Sequence, residues 1–123
     1  EELSAQLTEA TFDGLYPRRD VKKIGKYIRT TADHSYAGGD SDLGYFLDAD
    51  MSILAAEPDV FDEYNENIER EFSYVCLDLF RQGRKKFLSD WSHEDKTIFA
   101  MQDVRDELEL QAKDNLARKL EEY

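Results

Sequence analysis

Asp50 is the residue whose type and position most plainly invite chemistry. Leu43, Phe46, Leu47, Met51 and Leu54 recur at spacings of three and four and predict one buried stripe of a helix. Position 50 falls on that stripe, while Asp48 points about 200° away around the helix. A carboxylate turned toward a core needs protonation, a positive partner or a metal ion. A buried Arg or a neighbouring helix N-terminus would satisfy it as well as a metal. His34 ends the preceding helix, just before Gly38-Gly39, and stands close in sequence to Asp50. Imidazole suits a metal or a phosphate, and it also suits the negative end of a helix.

The other candidates have simpler readings. His93, in Trp91-Ser92-His93-Glu94, reads as a polar turn, with Trp91 packing on the bundle. Cys76 lies between Val75 and Leu77 with no His or Lys beside it, which predicts a packed thiol rather than a nucleophile. Arg84-Lys85-Lys86 and Arg18-Arg19 with Lys22-Lys23 are basic clusters that either receive phosphate or form solvated faces. Gly38-Gly39 lacks the Gly-Lys-Ser/Thr that would finish a phosphate loop.

The elements that must position these residues are helical. No segment alternates with period two, so no sheet is expected. Helix one should cover about residues 1–12 with Leu3, Leu7 and Ala10 inward, and helix two about 17–32 with Val21, Ile24, Tyr27 and Ile28 inward. Residues 35–42 form a flexible loop, after which Ser41 can cap helix three. The strongest pattern is Phe61, Tyr64, Ile68, Phe72, Val75 and Leu79, which predicts one long helix from Pro58 to Gln82 that Gly83 ends. A short helix near 84–91 and a last helix over 103–121, with Val104, Leu108, Ala112, Leu116 and Leu120 inward, complete the chain. Pro17 and Pro58 suit helix starts. The expected fold class is all-α, an irregular bundle of five to seven helices in one domain spanning residues 1–123.

Composition narrows the function. The net charge of −12 repels nucleic acid and anionic membranes and favours cations and basic partners. The carboxylates alternate with apolar residues, as on an ordinary solvated helix surface. No apolar run reaches the roughly 20 residues needed to span a bilayer, and no signal-peptide core is present. The single cysteine excludes an internal disulfide and fits a reducing, cytoplasmic setting.

Leu47-Asp48-Ala49-Asp50-Met51-Ser52-Ile53-Leu54 resembles the aspartate motif of the predicted metal-dependent HD-superfamily phosphohydrolases. Glu2-Leu3-Ser4-Ala5, Thr31-Ala32-Asp33-His34, Ile68-Glu69-Arg70-Glu71-Phe72, Gly83-Arg84 and Ala112-Lys113-Asp114-Asn115-Leu116 resemble further motifs of that family, in order along the whole chain. The resemblance implies an all-α HD-type fold in which a divalent metal activates water against a phosphorus centre. It implies that Asp50 is a metal ligand. Asp48, His34 and Arg84 would lie in the metal or phosphate neighbourhood. The family's first His and His-Asp doublet have no counterpart here, Glu69 stands in place of its Arg, and Phe72 in place of its Tyr. The chain therefore reads as the C-terminal part of such a domain, lacking its N-terminal helices and inactive alone. The alternative is an acidic helical binding or interaction module without catalysis. Missing core helices would leave an apolar face exposed, so self-association is also expected.

Overall fold

The computed structural model describes residues 1–123. It is all-α, with α1 (Glu2–Phe12), α2 (Arg18–Thr30), α3 (Ser41–Met51), a 3-10 helix (Ser52–Ala55), α4 (Pro58–Glu71), α5 (Leu77–Ser92) and α6 (Gln102–Glu121). No helix is long and apolar enough to cross a membrane. Length and composition predict one domain over residues 1–123. The helices gather into two compact units, residues 1–50 and 51–123.

In the first unit, α1 lies on α2 through a small and charged interface, not through its leucines. Ala5 is fully buried, whereas Leu3 is 80% and Leu7 69% exposed, so the expected inward face of α1 is the outer one. The reason lies in α2. Arg29 binds Glu2 (Nε to Oε2, 2.8 Å) and Glu9 (Nη1 to Oε1, 2.5 Å) and turns that acidic side of α1 inward. Gly25 makes room for it, because a Cβ there would overlap the Glu9 carboxylate. Ile24, expected inward, is accordingly exposed, while Val21, Gly25 and Tyr27 are buried. A separate small cluster forms from Tyr27, Leu43 and Leu47, with Tyr36 packed on it.

The second unit has the larger core, built from Met51, Leu54, Phe61, Leu88, Ile98, Phe99, Ala112 and Leu116. Full burial of a Leu or Phe side chain is worth about 1.5–3 kcal/mol, so this cluster carries most of the unit's apolar stabilisation. Val104, Leu108 and Leu120 pack against it, and the stripe expected of α6 is the one observed.

The expected helix over 58–82 is two helices. α4 stops at Glu71, residues 72–76 turn, and α5 runs to Ser92. Ser73-Tyr74-Val75-Cys76 is a run of weak helix formers, and the Val75 N–H closes a turn onto the Phe72 carbonyl at 2.9 Å. The apolar periodicity survives the break because Phe72, Val75 and Leu79 line a surface groove between the helices and do not belong to a core stripe. Gly83 sits inside α5 and ends nothing. Cys76, expected to be packed, is exposed at the start of α5.

The end of α5 is closed by a lysine. Lys113 Nζ donates to the carbonyls of Trp91 and His93 at 2.7 Å and of Lys96 at 2.5 Å, using all three donors. Burial holds its ammonium below the usual lysine range. Glu109 accepts the N–H groups of Ile98 (2.7 Å) and Phe99 (3.1 Å). Asn115, 1% exposed, donates to the carbonyls of Leu54 (3.0 Å) and Ala56 (2.8 Å), pinning the 3-10 helix to α6.

Three outcomes follow from these contacts. Arg29 and Gln6 hold Glu2 down at about 2 against an ordinary 4.5. A carboxylate lowered on folding contributes its stabilisation fully above the unfolded value and loses it as pH falls toward the folded one. The α1–α2 pairing should therefore weaken between about pH 4.5 and pH 2, read as loss of α1 amide protection in a pH series. Protection unchanged across that window would contradict the Arg29 clamp. Gly25→Ala gains helix propensity of about 1 kcal/mol while displacing Glu9. Its signature is thus a Glu9 carboxyl, normally held low by Arg29, returning to the ordinary range in an NMR titration while Glu2 stays low. Finally, Asn115→Leu should cost the second unit about 2–6 kcal/mol in urea unfolding, because two carbonyls lose their donors at about 1–3 kcal/mol each. A cost under roughly 1 kcal/mol would show that water replaces the amide.

Candidate functional site

The first unit brings His34 and Asp50 together. Nε2 of His34 lies 2.7 Å from Oδ2 of Asp50, a hydrogen bond in which the imidazole donates. The imidazole is 14% exposed and the carboxylate 50%. One ligand-type side chain of the pair is thus set into the fold and the other is open to solvent.

The loop preceding α3 fixes both partners. The α2 end closes with the His34 N–H on the Thr30 carbonyl at 2.8 Å. His34 itself takes a left-handed backbone, φ 55°, the αL position that glycine or asparagine usually fills after a helix. For a residue with a Cβ this costs about 1–2 kcal/mol. Ser35 N–H then bonds Asp33 Oδ1 at 3.0 Å, which holds the Asp33 carboxyl below its usual range. Gly38 and Gly39, both at positive φ, let the chain turn back. Asp40 ends the loop. Its carboxylate accepts the Tyr27 hydroxyl (2.9 Å to each oxygen) and the Leu43 N–H (3.2 Å). It is therefore Asp40, and not Ser41, that caps α3. The Tyr27 hydroxyl holds the Asp40 carboxyl low, and burial together with Asp40 pushes the Tyr27 phenol up. Residues 27 and 40 thus clamp the two ends of the segment that carries His34.

The burial of the two aspartates is the reverse of the expectation. Asp48 is 3% exposed and Asp50 is exposed. The inward side of α3 is Leu43, Gly44, Leu47, Asp48 and Met51. Phe46, counted into the stripe because of its size, is 38% exposed and leans on the Tyr27 ring at 5.6 Å. One misplaced aromatic rotates the inferred stripe by about one residue, or 100°, which exchanges the two carboxylates. Asp48 is buried but not without a partner. Asp50 answers its charge with His34.

Arg84 belongs to the second unit and is buried within α5. Its guanidinium donates to Asn65 Oδ1 (Nη2 2.6 Å, Nε 3.2 Å) and lies over the rings of Phe87 (4.7 Å) and Tyr64 (5.5 Å). Those partners occupy it as a packed cation, and the turn expected at Gly83-Arg84 is a helix interior. His93 is exposed, as expected, 3.8 Å from Asp95.

A divalent ion of the HD type would need more donors than these residues bring together. His34 and Asp50 supply one imidazole and one carboxylate bonded to each other, and no group of three or more His, Cys, Asp or Glu side chains is arranged to share an ion. Catalytic sites use at least three protein ligands, so these residues do not make a complete centre by themselves. Residue types and the family resemblance point to His34, Asp48, Asp50 and Arg84 but not to the Tyr27–Asp40 clamp, whose only signal in the sequence is an Asp placed between a Gly pair and a helix. Comparison with family models, with curated proteins and with solved structures finds no match for this chain.

Proposed function

We propose that this chain carries one flank of a metal centre of the HD phosphohydrolase type, acting on a phosphate ester, with Asp50 as a ligand and His34 beside it. The observation supporting this reading is the His34–Asp50 pair. Two ligand-type side chains, 16 residues apart on different elements, meet at 2.7 Å on an accessible surface. The left-handed backbone at His34 adds to it, since strain of this kind persists at working sites. Asp50, half exposed, can turn from imidazole to cation without unburying a charge. The pair alone would hold an ion weakly, and a divalent ion would need further ligands besides it. Asp48 and Arg84 then act through the packing of their helices. The surplus of carboxylates, −12 overall, favours cation approach.

The second reading is an acidic helical interaction module without catalysis. The observation favouring it is the outward apolar ridge of α1, where Leu3 and Leu7 are the exposed surface on which self-association would occur.

Titration of the 123-residue chain with Mn²⁺, read by paramagnetic broadening of backbone amides, separates the two. The metal-centre reading expects broadening focused on residues 33–35 and 49–51, abolished by Asp50→Asn and retained in Asp48→Asn if that variant folds. Broadening spread evenly over the acidic surface, or unchanged in Asp50→Asn, would leave the interaction module as the reading.

A further inference from the structure

We infer that the second unit holds a binding site for a small phosphorylated molecule that also carries an amino group, in the cavity between α4, α5 and the end of α6. The cavity measures about 410 Å³ and is lined on one side by Arg81 and Lys85 and on the other by Glu66 and Glu69, with Lys119 and Glu122 at its end. That volume lies within the range of small-ligand pockets, roughly 300–1,000 Å³.

The charges make the argument. Arg81 and Lys85 stand four apart on α5 and therefore share a face. Of the other cations in the unit, Arg70, Lys86, Arg118 and the cavity's own Lys119 pair with carboxylates and Arg84 with the Asn65 amide. Arg81 and Lys85 make no such bond, although the chain carries 28 acidic residues against 16 basic ones. Like charges at this spacing oppose helix formation, so folding alone gives no reason to keep two unmatched cations on the wall of a cavity. A guanidinium and an ammonium side by side suit a phosphate dianion, the planar fork taking two oxygens and the ammonium acting as a point charge. Glu69 is also unpaired, because the neighbouring Arg70 is taken by Glu66. It gives the same cavity an acceptor for a cationic amine. With Glu66 held by Arg70 and Lys119 by Glu122, the unmatched charges on the lining are two cations and one anion, which fits a zwitterionic phosphomonoester better than a simple anion. This inference is independent of the His34–Asp50 pair and of the metal-centre reading.

The test is an amide chemical-shift titration of the full chain at low salt with inorganic phosphate, O-phosphoethanolamine and adenosine monophosphate. Saturable shifts are expected at residues 65–69, 81–85 and 119–122, strongest for phosphoethanolamine. Removing one charge-assisted contact should weaken binding by roughly tenfold or more, so Arg81→Ala/Lys85→Ala should lose all three probes by roughly a hundredfold. Both substituted residues are exposed, and removing them relieves repulsion, so the variant should fold. Glu69→Gln should cost phosphoethanolamine its advantage and leave inorganic phosphate unchanged or tighter. Absence of saturable shifts with every probe, or equal affinity in Arg81→Ala/Lys85→Ala, would overturn the site. Equal affinity for phosphate and phosphoethanolamine in the unsubstituted chain would overturn its amine half.

Discussion

The second unit depends on one requirement: backbone groups buried where helices stop must find partners. Its helices are joined by irregular segments that run against the core, including the 3-10 helix and the stretch through Ile98 and Phe99. Helix α6 meets the need with a row of polar side chains set beside its apolar stripe. Glu109 receives the amides of residues 98 and 99, Lys113 gathers three carbonyls at and just past the end of α5, and Asn115 donates to the carbonyls of Leu54 and Ala56. Arg118 extends the row to the Pro58 carbonyl and the Asp62 carboxylate. Ala112 and Leu116 can be buried completely because these neighbours leave little of the adjoining backbone unsatisfied. Apolar burial is the larger energy, but without the polar row the irregular segments could not approach α6 at all.

The first unit solves a smaller problem by other means. Two short helices have little apolar surface to share, and α1 spends its largest residues elsewhere, with Leu3 and Leu7 outside. What fixes α1 on α2 is geometry around one guanidinium, Arg29, reached by two carboxylates because Gly25 leaves the space. Exposed ion pairs are ordinarily worth little. Here one cation serves two acids, so the side-chain entropy lost at Arg29 is shared between two contacts. Such an attachment is weaker and more dependent on pH and salt than a packed core, and it leaves an apolar ridge with no cover in the chain itself.

How far the sequence was legible follows from which forces repeat along it. The α6 stripe could be read because burial of Val104, Leu108, Ala112, Leu116 and Leu120 follows helical period without interruption. The break between α4 and α5 could not, since Phe72, Val75 and Leu79 keep the same spacing while lining a groove. The α3 stripe failed by one position, because a large side chain, Phe46, was weighed above a small one, Gly44. That error exchanged Asp48 with Asp50. The polar contacts of Glu109, Lys113 and Asn115 left no local trace at all, as each reaches a segment at least ten residues away. For the site, the residue types pointed to His34 and Asp50, but their meeting depends on a loop whose clamp, Tyr27 to Asp40, is tertiary.

The backbone of His34 bears on why that pair exists. A left-handed residue after a helix is cheapest as glycine, and asparagine is the usual second choice. The imidazole recovers something through Asp50, yet a hydrogen-bonded pair with a half-exposed carboxylate contributes only on the order of 0–1 kcal/mol. That does not outweigh a conformational cost of about 1–2 kcal/mol. Glycine would serve the turn better, and the neighbouring Gly38 and Gly39 already occupy positive φ where the loop needs it. The Asp50 bond alone therefore does not offset the backbone cost, and His34 makes further interactions besides it. The imidazole is set into the fold, 14% exposed, so its packing and its other contacts share with Asp50 in holding the left-handed turn.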